Sequence, residues 1–336
     1  MGKIPRSYLI RRLGIFVLTV WFAATLIFII PRLAPGDPIR AMIGDVQTAG
    51  SDTENAEAII EGWQERFGLN DSLPEQYVRY MIGLLTFDFG PSINEFPTPV
   101  GEIIARALPW TMGLLVVAMV ITFTLGNFLG AIMVWSKTPR MIKMIIPLGM
   151  LLTSIPSILA ALLLLYIFSY TAGWFPITDA YAVGEVTPGL NLEFISSVIY
   201  HGTLPALAIV LVSFGYWALG MRGMMITVEG EDYMHLARAK GLKPFYVLYR
   251  YMIRNAILPQ VTAFAITLGT LVSGQVLVEF VFQYPGMGTV IYNSIIRLDF
   301  PVIQGTAFFL ILMTALAVLL VDLLYPYIDP RISVGD

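Results

Sequence analysis

Six stretches of this chain contain no Asp, Glu, Lys or Arg: residues 13–31, 107–136, 144–178, 194–221, 255–278 and 300–321. A helix that crosses a bilayer needs about 20 apolar residues, and each stretch meets or nearly meets that length. In hydrocarbon every backbone N–H and C=O must be satisfied internally, so such runs fold as helices. Composition agrees, with 57% hydrophobic and 13% charged residues and a mean hydropathy of +0.75; soluble domains carry about 25% charged residues. The expected fold is an all-α integral membrane protein with six transmembrane helices. The stretch 144–178 exceeds one crossing and is expected to end as helix near Gly173-Trp174-Phe175-Pro176. Residues 13–31 follow Arg6, Arg11 and Arg12 as a secretory signal would. No small-x-small cleavage pattern comes after them, so the segment is read as an uncleaved anchor.

Lysine and arginine set the orientation. With the N-terminus inside, most of the 20 basic residues fall on the cytoplasmic side. They cluster at Lys3–Arg12, Lys137–Lys143 and Arg222–Arg254, while Arg32, Arg40, Arg66, Arg79, Arg106 and Arg297 fall outside. Four segments follow. Residues 1–31 are a cytoplasmic N-terminus and first helix, and 32–106 a long extracytoplasmic helical region between helices one and two. Residues 107–325 hold the other five helices and the cytoplasmic loop 222–254, and 326–336 form a cytoplasmic tail. Within 32–106, "SDTENAEAIIEGWQERFGL" reads as a helix capped by Asp52, and "SLPEQYVRYMIGLL" as a second with Pro74 near its start.

Several chemistries are excluded early. The chain has no cysteine and two histidines, His201 and His235, too few for a thiolate or histidine metal site or a hydrolytic triad. His201, before Gly202-Thr203-Leu204-Pro205, is read as a cap or packing group. No G-x-x-x-x-G-K-[ST] phosphate loop occurs, so the chain holds no Walker-type nucleotide site. A net charge of −3 gives no footprint for nucleic acid.

The loop 222–254 contains the most distinctive polar segment, "DYMHLARAKGLKPF" from Asp232 to Phe245. Asp232 can cap a helix of about two turns, Gly241 suits the position just past its end, and Pro244 suits the first turn of the next helix. At 100° per residue Tyr233, Leu236, Ala237 and Lys240 share one face, with His235 and Arg238 on the other. The small side chains of Ala237 and Ala239 would let another surface come close. Two readings stand: an amphipathic helix lying on lipid headgroups, or a rigid knob offered to a protein.

The residue order resembles a known pattern. "GEDYMHLARAKGL" followed by "RNAILP" is similar to the cytoplasmic EAA loop of ATP-binding-cassette importer permeases, in the form used by the dipeptide/oligopeptide branch. Gly241 and Ala237 match that pattern, while His235 and Leu236 replace its glutamate and first alanine. "YLIRRLGIFVLTVWFAATLIFIIPRLAPGDP", "FGLNDSLPEQYVRYMIGLLTFDFGPS", "VLVEFVFQYPGMG" and "LLYPYIDPRI" resemble further segments of the branch, in the same order along the chain. The resemblance implies a type I importer-like permease in a cell or inner membrane, with both termini cytoplasmic. It implies a transport subunit, not an enzyme, with no cofactor of its own and ATP and Mg held by a partner ATPase. The implied partners are a second related permease, two ATPase subunits, an extracytoplasmic substrate-binding protein and membrane lipid. Asp232, Tyr233, Leu236, Ala237, Arg238, Ala239, Lys240, Gly241 and Leu242 would form the coupling helix on the ATPase. The cargo implied first is a dipeptide or oligopeptide, with oligosaccharides or nickel as alternatives on the same scaffold.

Polar groups within the spans admit a pathway reading and a packing reading. Thr122, Thr124, Asn127, Thr153, Ser154, Ser157, Thr262, Thr267 and Thr270 are read mainly as helix-packing groups. Ser273, Gln275 and Glu279 are the pathway candidates, with Glu279 either at an outer mouth or in a structural contact at the outer interface. Asp322 is read as a solvated group at the inner boundary, and Arg222 as snorkelling to the headgroups. Trp63, Tyr77 and Tyr80 either receive the binding protein or anchor the outer region at the interface, where Trp and Tyr are enriched. An ion-coupled secondary transporter would call for paired carboxylates at mid-membrane and discontinuous helices in related halves. The sequence offers neither.

Overall fold

Helix is the only regular structure among the described residues, as a chain of apolar runs in lipid requires. The computed structural model describes residues 6–33, 71–270 and 275–328. The long elements are α1 (Arg6–Leu33), α3 (Val100–Val134), α6 (Leu192–Glu229) and α12 (Phe300–Ile328). All four are long and apolar enough to cross a membrane. Between them stand α2 (Leu73–Thr86), α4 (Arg140–Met150), α5 (Ser157–Leu164), α7 (Asp232–Ala239), α8 (Pro244–Val247), α9 (Arg254–Thr270), α10 (Val276–Val281) and α11 (Met287–Ile296).

The remaining expected crossings are not continuous α-helices. Where one long third helix was expected, α4 passes into a 3₁₀ turn at Leu151–Ser154 and stops before Pro156. α5 then starts afresh and widens into a π turn at Leu165–Thr171. Proline supplies the cause: it lacks an N–H and its ring clashes with the preceding turn. The helical path ends at Thr171, with Gly173 at φ +66°, near the Gly-Trp-Phe-Pro break. The fifth stretch is described as α9, a helix of 17 residues, and again from Gln275 onward. The helix expected to start at Asp52 lies outside the described residues.

The chain divides into two units. One comprises residues up to Trp110 and from Pro285 onward; the other is Thr111–Tyr284. In the first, α1 lies along α12, and Ala24, Leu84 and Phe308 are buried together with Tyr80, Met81 and Phe89 around them. Arg12 pairs with Asp322 at 2.8 Å, and the Tyr8 hydroxyl donates to the Asp322 carbonyl. This corrects the reading of Asp322 as merely solvated. Elsewhere α1 leaves Ile10, Val17, Leu18, Trp21, Phe22 and Ile30 exposed, which in a membrane-crossing helix is surface for lipid.

In the second unit α3 crosses α6 through small residues. A Cβ built on Gly126 would stand 2.5 Å from Trp217 Cβ, and one on Gly130 2.4 Å from the Ala218 carbonyl oxygen. Gly126 and Gly130 are a G-x-x-x-G pair, the spacing that lets membrane helices touch backbone to backbone. The rings of Phe123, Trp217 and Phe264 pack edge-on or tilted around this crossing. Thr122, Thr262 and Thr267 donate to the carbonyls four residues before them, which supports the packing reading of these hydroxyls.

Candidate functional site: a short helix seated on a methionine-rich core

α6 has 38 residues and so is roughly 57 Å long at 1.5 Å per residue, against a hydrocarbon core of about 30 Å. A helix of that length outreaches the bilayer, and α7 follows its C-terminal end. The junction is tight: Gly230 N–H donates to Thr227 O and Glu231 N–H to Val228 O. Those bonds finish α6 and leave Glu231 extended, at φ −76° and ψ 144°, so Glu231 takes the N-cap position. Asp232, expected to cap the helix, stands one place inside. There its carboxylate still favours the partial positive charge of the helix N-terminus.

The C-terminal end of α7 is closed as its sequence demands. Gly241 lies at φ +68°, a left-handed conformation natural to glycine. Gly241 N–H donates to Arg238 O at 2.9 Å, and Leu242 N–H to Ala237 O at 3.4 Å. Together these make the two-bond Schellman ending. Leu242 tucks against the same core that α7 covers.

The buried face of α7 differs from the one expected. Met234 and Ala237, three residues apart, are 0% and 2% exposed. They pack on Ala131, Met221, Met225, Val228, Val247, Leu248, Met252 and Ala256. Ala237 was expected to meet a partner; it instead seats the helix on its own chain, its small side chain allowing α7 to lie close. Tyr233, Leu236, His235, Arg238, Ala239 and Lys240 remain exposed. Arg238 reaches back to Glu229 at 2.6 Å, a surface pair worth about 0–1 kcal/mol. Desolvation first, then the Glu231 charge, raises the pKa of the Tyr233 phenol above the ordinary value. The outward apolar group is Leu236, flanked by Tyr233 and Lys240. In shape and chemistry α7 is a stiff projection with an apolar tip and a basic rim.

The pathway candidates are dispersed. Ser273 lies outside the described residues. Gln275 precedes α10, its carbonyl accepting from Val278 and Glu279 N–H. Glu279 is 0% exposed and accepts the Thr111 hydroxyl at 2.8 Å. Its carboxylate is thus held inside this unit by a side-chain contact, which fits the structural-contact alternative for this residue. His201 uses Nδ1 on the Ser197 carbonyl at 2.8 Å, a packing role.

Of the outer-region aromatics, Trp63 lies outside the described residues. Tyr77 and Tyr80 turn toward α1. Tyr77 shares a 2.8 Å hydrogen bond with Thr25, and both rings pack on Phe28. The Arg32 guanidinium covers the Phe28 ring at 3.5 Å and bonds Gln76. Burial pushes the Tyr80 phenol well above its usual range. These contacts fit the anchoring alternative and leave the two rings little face for a binding protein.

Sequence reading missed Asp299. It is 2% exposed and accepts from Ser92 Oγ, the N–H groups of Ile93 and Asn94, and Asn94 Nδ2. It also caps α12 through Val302 N–H at 3.4 Å. The available signal was a lone aspartate just before an apolar run that opens Phe300-Pro301.

Comparison with known proteins follows the same lines. The family model for "binding-protein-dependent transport system inner membrane component" matches residues 126–334. The oligopeptide transport system permease protein AppB of Bacillus subtilis (strain 168) is 32% identical over 331 residues, covering 97% of this chain and 99% of that protein. The dipeptide transport system permease protein DppB of the same organism is 30% identical over 326 residues, covering 97% of each.

Proposed function

Since the chain belongs to the family of binding-protein-dependent transport system inner membrane components, we propose that it is the permease subunit of an ATP-driven importer of dipeptides or oligopeptides. The chain would cross the membrane six times with both termini in the cytoplasm. α4–α5 and α9–α10 would supply the third and fifth crossings. A second related permease, two ATPase subunits and an extracytoplasmic binding protein would complete the assembly. ATP and Mg would sit on the ATPase, because no phosphate loop is encoded here.

The observation that carries this reading is the seating of α7. Met234 and Ala237 fasten it to α3, α6 and the start of α9, so force applied at Leu236 reaches those helices through packed side chains. Movement of an ATPase against that tip would tilt α6 and α9 as a block. Peptide cargo is favoured over oligosaccharide or nickel because two near-full-length relatives bear peptide-transport names. An ion-coupled transporter is disfavoured by the carboxylates themselves: Glu279 and Asp299 are each held in local hydrogen bonds.

Leu236→Asp tests the proposal. Leu236 is 57% exposed, so the change should move stability by no more than about 0.5 kcal/mol. The complex purified from its native membrane should lose its ATPase, or keep it with peptide uptake uncoupled from hydrolysis. Unchanged, fully coupled uptake in a normally assembled Leu236→Asp complex would remove α7 as the coupling contact.

A further inference from the structure

Beyond α7 the chain carries a second feature that coupling does not use. A groove of about 600 Å³ is lined by Tyr246, Arg250, Tyr251, Arg254, Asn255 and Leu258. It lies where the π turn Leu248–Ile253 passes into α9. Residues four apart on a helix are neighbours, which sets Arg250 and Arg254 along one wall. No Asp or Glu occurs between Asp232 and Glu279. Among the described residues, neither arginine has a carboxylate within ion-pair distance.

The polarity of the groove changes along its length. One end has two guanidinium groups and the Asn255 amide. The other opens on Leu258, and the exposed side chains Val261 and Ile266 continue up α9. Tyr246 and Tyr249 stand exposed nearby, the residue type enriched at the headgroup level. A free anion would need the first end only, and a solute in transit would not call for an apolar strip facing outward.

We propose that this groove holds an anionic phospholipid of the leaflet on the α7 side, its phosphate on Arg250 and Arg254 and its acyl chain along Leu258 and Val261. Guanidinium presents a planar fork that matches phosphate, and each basic residue at a membrane surface adds about fivefold to attraction for anionic lipid. The inference goes beyond the importer reading and rests only on α9 entering the bilayer.

The test uses the complete transporter complex in nanodiscs of phosphatidylcholine with graded phosphatidylglycerol, and native mass spectrometry counts the lipids retained. Wild type should keep phosphatidylglycerol preferentially. Arg250→Gln/Arg254→Gln should weaken that retention roughly 10- to 30-fold, and Arg250→Lys/Arg254→Lys by less. Lys137→Gln/Arg140→Gln removes two exposed cations from another loop and should change nothing. Equal losses in both Gln pairs would mean diffuse attraction and overturn the site. So would a wild type without preference, or retention abolished by millimolar inorganic phosphate. The sequence has no native cysteine, so a label on Val261→Cys, read by lipid-borne quenchers, reports separately whether α9 enters the bilayer.

Discussion

α7 and the loop Ser92–Asn94 are both short segments fastened to long helices, and they are fastened by opposite chemistry. The loop hangs on one buried carboxylate, Asp299, through directional hydrogen bonds to named donors. α7 rests through Met234 and Ala237 on Met221, Met225 and Met252 with alanines between them, contacts that have no preferred direction. Hydrogen-bonded clamps hold one geometry and fail when it is disturbed. Thioether side chains refill gaps as neighbours shift. A segment that must stay put suits the first design; a segment that passes on motion suits the second.

The sharpest way to break the comparison is Asp299→Ala. It strands donors on Ser92 and Ile93 in a buried place, while those of the exposed Asn94 can turn to water, and each buried lost partner costs about 1–3 kcal/mol. A total of about 4 kcal/mol is expected, seen as a collapse in the yield of folded protein and in its melting temperature. Met234→Ala should cost about 3 kcal/mol, since a fully buried methionine leaves a cavity, and should loosen the ATPase together with the fold. Met234→Leu conserves volume and should cost under about 1.5 kcal/mol, with coupled transport retained. A Met234→Leu protein that is well folded yet uncoupled would show that the seat is as shape-specific as the clamp.

The α3–α6 crossing sharpens the contrast inside the apolar class. At Gly130 the added methyl meets a backbone carbonyl at 2.4 Å, and a backbone cannot repack as a methionine does. Gly130→Ala should therefore cost about 1–3 kcal/mol by overpacking, read as a lower melting temperature in detergent. Two apolar contacts in one unit would then differ in tolerance because one is made by flexible side chains and the other by main chain.

Charge-free runs made the helices legible, because lipid leaves the backbone no other option. Gly241 and the polar run before it made α7 legible, because the Schellman ending needs a residue at positive φ. Sequence reading erred where tertiary contacts decide. Periodicity grouped Ala237 with Tyr233 and Leu236, but the cluster formed by Met221, Met225 and Met252 captured Met234 and Ala237 instead. Glu279 and Asp299 were hidden for a related reason: their partners Thr111 and Ser92 are 168 and 207 residues away, beyond any local pattern. Asp322 finds Arg12 across α1 and α12, a pairing that only the packing of the first helix on the last reveals.

Glu75 carries the comparison to its weakest case, a hydrogen-bonded carboxylate left in water. Its Oε2 accepts the Ser72 N–H at 3.0 Å and the Ser72 hydroxyl at 2.8 Å at the start of α2. Those two bonds, more than the nearby Arg79, lower its pKa below the ordinary 4.5. A depressed folded-state pKa contributes stability that is present above the unfolded value and lost as pH falls through the folded one. Fraying of the first turn of α2 should therefore begin as pH drops below about 4.5, read as faster amide exchange at Gln76 and Tyr77 after correction for intrinsic rates. Glu75→Gln should abolish that pH dependence and leave global unfolding unchanged. Asp299 and Glu75 make the same kind of bonds, so a small, local effect at Glu75 beside a large one at Asp299 would assign the difference to burial. A global loss of stability on titrating Glu75 would instead make the hydrogen bonds themselves the source, and Asp299 would need no special surroundings to explain its hold on the loop.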